Sequence, residues 1–193
     1  MRNKHIILAS NSPRRKELLS KLDIDFEVKV IPGISENYPS TLPALEVSEY
    51  IARLKAKPYE IKTDEVLITA DTTVVVGNTI LGKPANEQEA RQMLQMISGI
   101  THKVVTGVCI TTQSEQRSFK AITDVTFKPL SNEEISYYIT HYKPFDKAGA
   151  YGIQEWIGMV GVTSINGSFF NVMGLPVQRI YEELRAMNLL LHD

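Results

Sequence analysis

A single cysteine in 193 residues removes two classes of explanation at once. No intrachain disulfide can form, and no cysteine cluster exists to hold zinc. That residue, Cys109, lies inside an apolar run and reads as a small buried hydrophobe rather than a nucleophile. Excess charge is also missing. Lys and Arg number 21 and Asp and Glu 22, a formal net charge of −1 that argues against a broad electrostatic footprint for DNA or RNA. No run approaches the ~18 apolar residues of a membrane span. The start, Met1 to His5, leads into a short strand-like run without a signal-peptide core or cleavage site. Neither an internal repeat nor a low-complexity linker is present, and the length suits one domain over residues 1–193. Finally, Gly-x-x-x-x-Gly-Lys-Ser/Thr is absent, so a P-loop is not expected.

What is present begins near the start. Ile6-Ile7-Leu8-Ala9 reads as a buried strand, and Ser10-Asn11-Ser12 as a polar loop. Ser12 is a good N-cap and Pro13 suits the first helical position. Arg14, Arg15 and Lys16 then place three cations in the first helical turn, where the macrodipole is already positive. The bland reading is that the side chains splay into water. The sharper one is that an anion sits at this helix N-terminus, held by free N–H groups and by exposed arginines.

Farther along, Phe26 to Val30 alternates like a strand, and Ile34 to Pro43 reads as an irregular loop. Leu45 to Lys57 has helical spacing and stops before Pro58. Val66 to Ala70 predicts a central strand ended by Asp71, followed by a hairpin of Thr73–Val76 and Thr79–Leu81 around Gly77-Asn78. Asn86 caps a helix to about Ile97. Two β-rich runs, His102 to Thr112 and Arg117 to Phe127, precede a helix opened by a capping box of Ser131 and Glu134. Lys143 to Glu155 reads as loop, Gly158 to Ile165 as a strand, Asn166-Gly167 as a turn, and Pro176 opens an amphipathic final helix. The class is therefore α/β or mixed α+β.

Several side chains could carry chemistry, each beside a plainer reading. Asp71, at an expected strand C-terminus, suits a metal ligand or a base, yet an Asp that merely ends a strand is common. A haloacid-dehalogenase-type nucleophile would want a second acid two positions on, where Thr73 stands. Glu36 is a loop carboxylate, by default solvated. Lys55 near a helix C-terminus complements the dipole, and Lys83 between Gly82 and Pro84 is either aimed at a phosphate or part of a turn. His102 and Thr106 share a strand face, where a histidine is more often structural. Gln154 offers both a donor and an acceptor, suited to a pyrimidine edge, and Asp146 and Lys147 can pair with each other or with neighbours.

The run Ser10-Asn11-Ser12-Pro13-Arg14-Arg15-Lys16-Glu17-Leu18-Leu19 resembles the signature of the Maf family, the septum formation proteins. Ala70-Asp71-Thr72, Gly82-Lys83-Pro84, Ser98 to Val108, Asp146 to Gln154 and Asn166 to Pro176 follow in the family's order. The resemblance implies an elongated mixed sheet flanked by helices, with two lobes around a cleft. It also implies a cytoplasmic, Mg2+- or Mn2+-dependent nucleoside triphosphate pyrophosphatase, expected as a homodimer, that releases a nucleoside monophosphate and pyrophosphate. Asp-Lys-Ala-Gly-Ala-Tyr-Gly-Ile-Gln is similar to the dTTP/UTP branch. By the same resemblance Asp71 is the base, with Glu36 serving the metal or the water alongside it. Ser12, Arg14, Arg15, Lys55 and Lys83 hold the phosphates, and Gln154 the nucleobase. Where the family usually has glycine after that glutamine, this chain has Glu155. A competing reading is a nucleotide-binding regulator of cell division that binds without turnover.

Overall fold

Residues 4–190 are described by a computed structural model, so residues 1–3 of the expected N-terminal lead lie outside it. The strands are β1 (His5–Leu8), β2 (Phe26–Val28), β3 (Glu65–Val76), β4 (Thr79–Leu81), β5 (Thr101–Thr111), β6 (Gln116–Phe127) and β7 (Val162–Asn166). The helices are α1 (Pro13–Ser20), α2 (Val47–Ala56), α3 (Glu87–Ile97), α4 (Asn132–Tyr142), α5 (Trp156–Gly161), α6 (Phe169–Met173) and α7 (Val177–Ala186). One mixed sheet of seven strands runs β2-β1-β3-β5-β6-β7, with β4 paired to β3. The expected mixed α/β class is what the chain adopts.

Local chemistry sets most boundaries. Ser12 accepts a hydrogen bond from the Arg15 amide at 3.4 Å, with Pro13 at the first helical position. Asn86 accepts from the Glu89 amide, and Ser131 with Glu134 completes a reciprocal box. Parallel pairing joins β1 to β2 and β3, whereas β3–β5, β5–β6 and β6–β7 are antiparallel pairs.

Side chains of one sheet face feed two apolar clusters. Val66, Ile68 and Ala70 of β3 and Val108 and Ile110 of β5 join Leu18, Leu19, Ile180 and Leu184 in the first. Val74 and Val104, farther along the same two strands, join Leu94, Ile97, Ile135 and Tyr138 in the second. Between them on that face lie two polar residues, Thr72 and Thr106, their hydroxyls 2.9 Å apart. On the opposite face α2 covers the sheet, with Ala52 and Ala56 against Leu67 and Cys109.

Three expectations are corrected. Asp71 does not end its strand: β3 runs unbroken through it to Val76. A carboxylate ends a strand when it needs water, and this one has a cation instead. The strand expected to reach Val30 stops at Val28. Gly158 to Ile165 divides into α5 and β7. An apolar run this short has no decisive period, and a Cβ on Gly158 would fall 1.9 Å from the Ile153 carbonyl oxygen, so glycine lets the chain coil there.

Candidate active site

The site begins as a gap in hydrogen bonding. On one side β3 pairs with β5 from Leu67 to Val75. On the other it pairs with β1 only as far as Ile68, and with β4 only from Val74 onward. Between those points no described strand covers that edge, and unpaired carbonyls require other donors. Arg15 supplies one: its Nη1 donates to the Ala70 carbonyl at 2.9 Å. A cavity of about 890 Å3 opens at this gap.

Arg15 departs from the expectation of an exposed arginine. Besides Ala70, it donates from Nη2 to the Thr72 hydroxyl at 3.0 Å and from Nε to the Gly174 carbonyl at 2.8 Å. It thereby ties α1, β3 and the end of α6. Desolvation lowers its pKa, with the Asp71 charge opposing. Three of its N–H donors are committed to the protein, so its charge reaches the cavity from a fixed position. Arg14 is the freer of the two, held by Asp146 at 3.0 Å.

Lys55 is carried on the last turn of α2. Its ammonium lies 2.8 Å from Asp71 Oδ1 and 2.8 Å from Glu36 Oε1. The loop carboxylate and the strand carboxylate, 35 positions apart, thus converge on one cation. Burial would push the Glu36 carboxyl up, but the hydrogen bond and charge of Lys55, aided by Lys83 and Arg15, hold it below the usual range. Asp71 Oδ1 is occupied by Lys55. Two carboxylates meeting at one cation are also the oxygen-donor set a hard divalent ion uses. Among the described residues no group of three or more His, Cys, Asp or Glu side chains could hold a metal. A magnesium-sized ion here would therefore complete its shell from water and a ligand's oxygens, its ordinary habit.

The remaining expected residues share the same cavity. Ser12, Lys83 and Gln154 line it with those already named. The Gly82 carbonyl beside Lys83 accepts from the Gly149 amide at 3.0 Å, joining hairpin to loop. Gln154 Oε1 is buried and lacks a hydrogen-bond partner in the protein, which is costly.

His102 stands apart. It lies outside the cavity wall, its Nε2 2.8 Å from the Tyr151 hydroxyl and its ring edge-on to Tyr151. Burial lowers its pKa to about 4, with Asp124 opposing, so the ring is neutral and structural. The Cys109 thiol is buried and its pKa raised by desolvation, an inert group.

Sequence reasoning missed the residues that brace the site. Asn171 is fully buried on α6 and donates from Nδ2 to the Val104 carbonyl and the Thr123 hydroxyl, while its backbone carbonyl accepts from the Thr106 hydroxyl. Thr72 links Arg15 to Thr106. Period-two alternation followed through Asp71 would have placed Thr72 opposite it. The pairing expected of Asp146 and Lys147, by contrast, is present: Lys147 is buried, 2.8 Å from Asp146 and 3.0 Å from its neighbour Glu155.

Comparison with known proteins follows the same lines. The Maf family profile, described as Maf-like protein, matches residues 5–187. A dTTP/UTP pyrophosphatase of Phocaeicola vulgatus is 62% identical over 184 residues, covering 94% of this chain and 95% of its own. One from Parabacteroides distasonis is 56% identical over 182 residues, covering 93% and 94%. Among solved structures, the Staphylococcus aureus Ham1 protein superposes with a TM-score of 0.50 at 14% identity, over 95% of this chain and 100% of that one. That likeness speaks to the fold alone.

Proposed function

This chain belongs to the Maf family, and on that premise we propose that it hydrolyses dTTP and UTP to the nucleoside monophosphate and pyrophosphate. The observation that carries the chemistry is the Lys55 ammonium shared by Glu36 and Asp71 beside the cationic start of α1. The substrate comes from the names of the relatives, and Gln154, an amide side chain in the cavity lining, supports it. A uracil or thymine ring carries an imide N–H that such an amide can pair with.

In this reading Arg14, Lys83 and the N–H groups at the start of α1 hold the triphosphate, and the fixed charge of Arg15 lies behind them. Asp71 takes a proton from the water that attacks the α-phosphorus. Its Oδ1 is engaged by Lys55, which leaves Oδ2 for the water. The bond from the α-phosphorus to the bridging oxygen breaks, and pyrophosphate leaves against Arg14 and Lys83. Glu36 and Asp71 would hold Mg2+ or Mn2+, which supplies charge neutralisation of the phosphate oxygens. Because Lys55 already joins these carboxylates, it orients them before substrate arrives. A site with pre-aimed charge of this kind stabilises the transition state without reorganising during reaction. As a nucleotide-pool enzyme it would work in the cytoplasm.

The deciding experiment is a product assay against a panel of nucleoside triphosphates, with and without magnesium. Pyrophosphate release from dTTP and UTP is expected, well above that from purine triphosphates. Orthophosphate release, or binding with no turnover, would overturn the reading, the latter in favour of the regulator.

A further inference from the structure

A chain of alternating charges leads from α4 to the phosphate end of the cavity. The Tyr138 hydroxyl donates to Glu155 Oε2 and accepts from the Gly152 amide at 3.0 Å. Glu155 Oε1 lies 3.0 Å from Lys147 Nζ. That ammonium reaches Asp146 Oδ1 at 2.8 Å, and Asp146 Oδ2 holds Arg14 Nη1 at 3.0 Å. Lys147 is the buried link, its side chain 9% exposed, and such a cation persists only while its partners remain. Burial would raise the Asp146 carboxyl, but Lys147 and Arg14 keep it low and ionised. The space is tight as well: a Cβ on Gly152 would lie 2.8 Å from the Glu155 carboxyl carbon and 3.0 Å from Lys147 Cε.

We infer that Glu155 is a positioning residue for triphosphate binding: it anchors Lys147, which fixes Asp146, which in turn aims Arg14 into the cavity. The inference rests on the pyrophosphatase reading only for its ligand. Glu155 and Lys147 neutralise each other, as do Asp146 and Arg14, so the chain adds no net charge to the cavity. Its effect is geometric. With Glu155 uncharged, the Lys147 ammonium draws Asp146 toward itself to keep a full partner, and Arg14 loses its fixed aim. An arginine that must find its orientation on binding yields less affinity than one already held there.

The test uses the full chain and two readouts. Affinity is measured by calorimetry with α,β-imido-dTTP, which is not cleaved, and turnover with dTTP. Glu155→Gln, which keeps the size and can still accept from Tyr138, is expected to weaken the Kd and raise KM roughly three- to tenfold, with a smaller fall in kcat through Arg14 at the leaving group. Glu155→Asp should recover part of the loss. In an Arg14→Ala background the Glu155→Gln penalty should vanish, because its route to the ligand is gone. Tyr138→Phe, which leaves the ion pairs in place, should show a smaller shift of the same kind. An unchanged Kd in Glu155→Gln would overturn the inference. So would a penalty of full size in the Arg14→Ala background, or a loss confined to kcat. Wild type that binds the analogue yet leaves dTTP intact would remove the pyrophosphatase reading, while the Kd comparisons would still judge Glu155.

Discussion

Asp71 and Gly107 are register partners across β3 and β5, and the glycine is what lets α2 lie close enough to serve the aspartate. A Cβ on Gly107 would sit 2.2 Å from the Glu49 amide nitrogen and 2.3 Å from the Ser48 carbonyl carbon, both backbone atoms of α2. The same helix, two turns on, carries Lys55 to within 2.8 Å of Asp71. Helix seating and ion-pair geometry are therefore one variable. Gly107→Ala must lift α2. It should cost about 1–3 kcal/mol of stability through overpacking, and at a temperature where the variant is folded its turnover should fall further, because Lys55 is withdrawn. Denaturation curves and dTTP hydrolysis measured together check this. An unaltered unfolding midpoint would contradict it.

Asp71→Asn keeps the shape and removes the charge and the proton acceptor. Turnover should fall at least about a hundredfold with the fold intact, as for loss of a general base. If the residue acts mainly on the metal, nucleotide binding should weaken too and raised magnesium should recover part of the rate. Near wild-type turnover at saturating metal would exclude both roles and leave Glu36 as the carboxylate to test.

The paired arginines should separate. Arg14→Ala should weaken triphosphate binding tenfold or more, since a charge-assisted bond is worth about 1.5–3 kcal/mol, with the melting curve little moved. Arg15→Ala also strips the partners from the Ala70 and Gly174 carbonyls. It should lower stability by at least about 2 kcal/mol as well. Equal stability in the two variants, read from urea midpoints, would refute the distinction.

His102 sets a pH dependence. Its folded pKa, about 4, lies below the ordinary 6.5. Between those values the unfolded chain binds a proton that the folded chain refuses. Stability held above pH 6.5 therefore declines as pH falls toward 4, by up to about 3 kcal/mol from this group. Urea midpoints at pH 7 and pH 4.5 should differ more in wild type than in His102→Gln. Equal differences in the two proteins would assign the loss to other groups.

Much of this was legible in the residues. Caps at Ser12, Asn86 and Ser131 are local chemistry, and each stands where its type and spacing put it. The cavity residues could be gathered because motifs mark them. What escaped depends on partners far away in sequence. Nothing beside Asp71 shows that Lys55 and Glu36 will meet it, so a strand end was the natural expectation. Arg15 reads as exposed until the carbonyls of Ala70 and Gly174 are seen to need it. The short helix α6 rests on Asn171 bonding to β5 and β6, which no window of local sequence contains.

Strands β3, β5 and β6 each contribute to both apolar clusters: Ile68 and Val74, Ile110 and Val104, Phe119 and Val125. Their ladders run without interruption between the two. A swing of one cluster against the other would have to crease three bonded strands together, at the register of Asp71 itself. The sheet thus runs under both clusters as one continuous floor to the cavity. Residues 29–43 carry no regular structure and are largely exposed. They hold Glu36 and reach the floor through its contact with Lys55. The Glu36 carboxylate is thus the side chain that moors this exposed segment to the cavity floor.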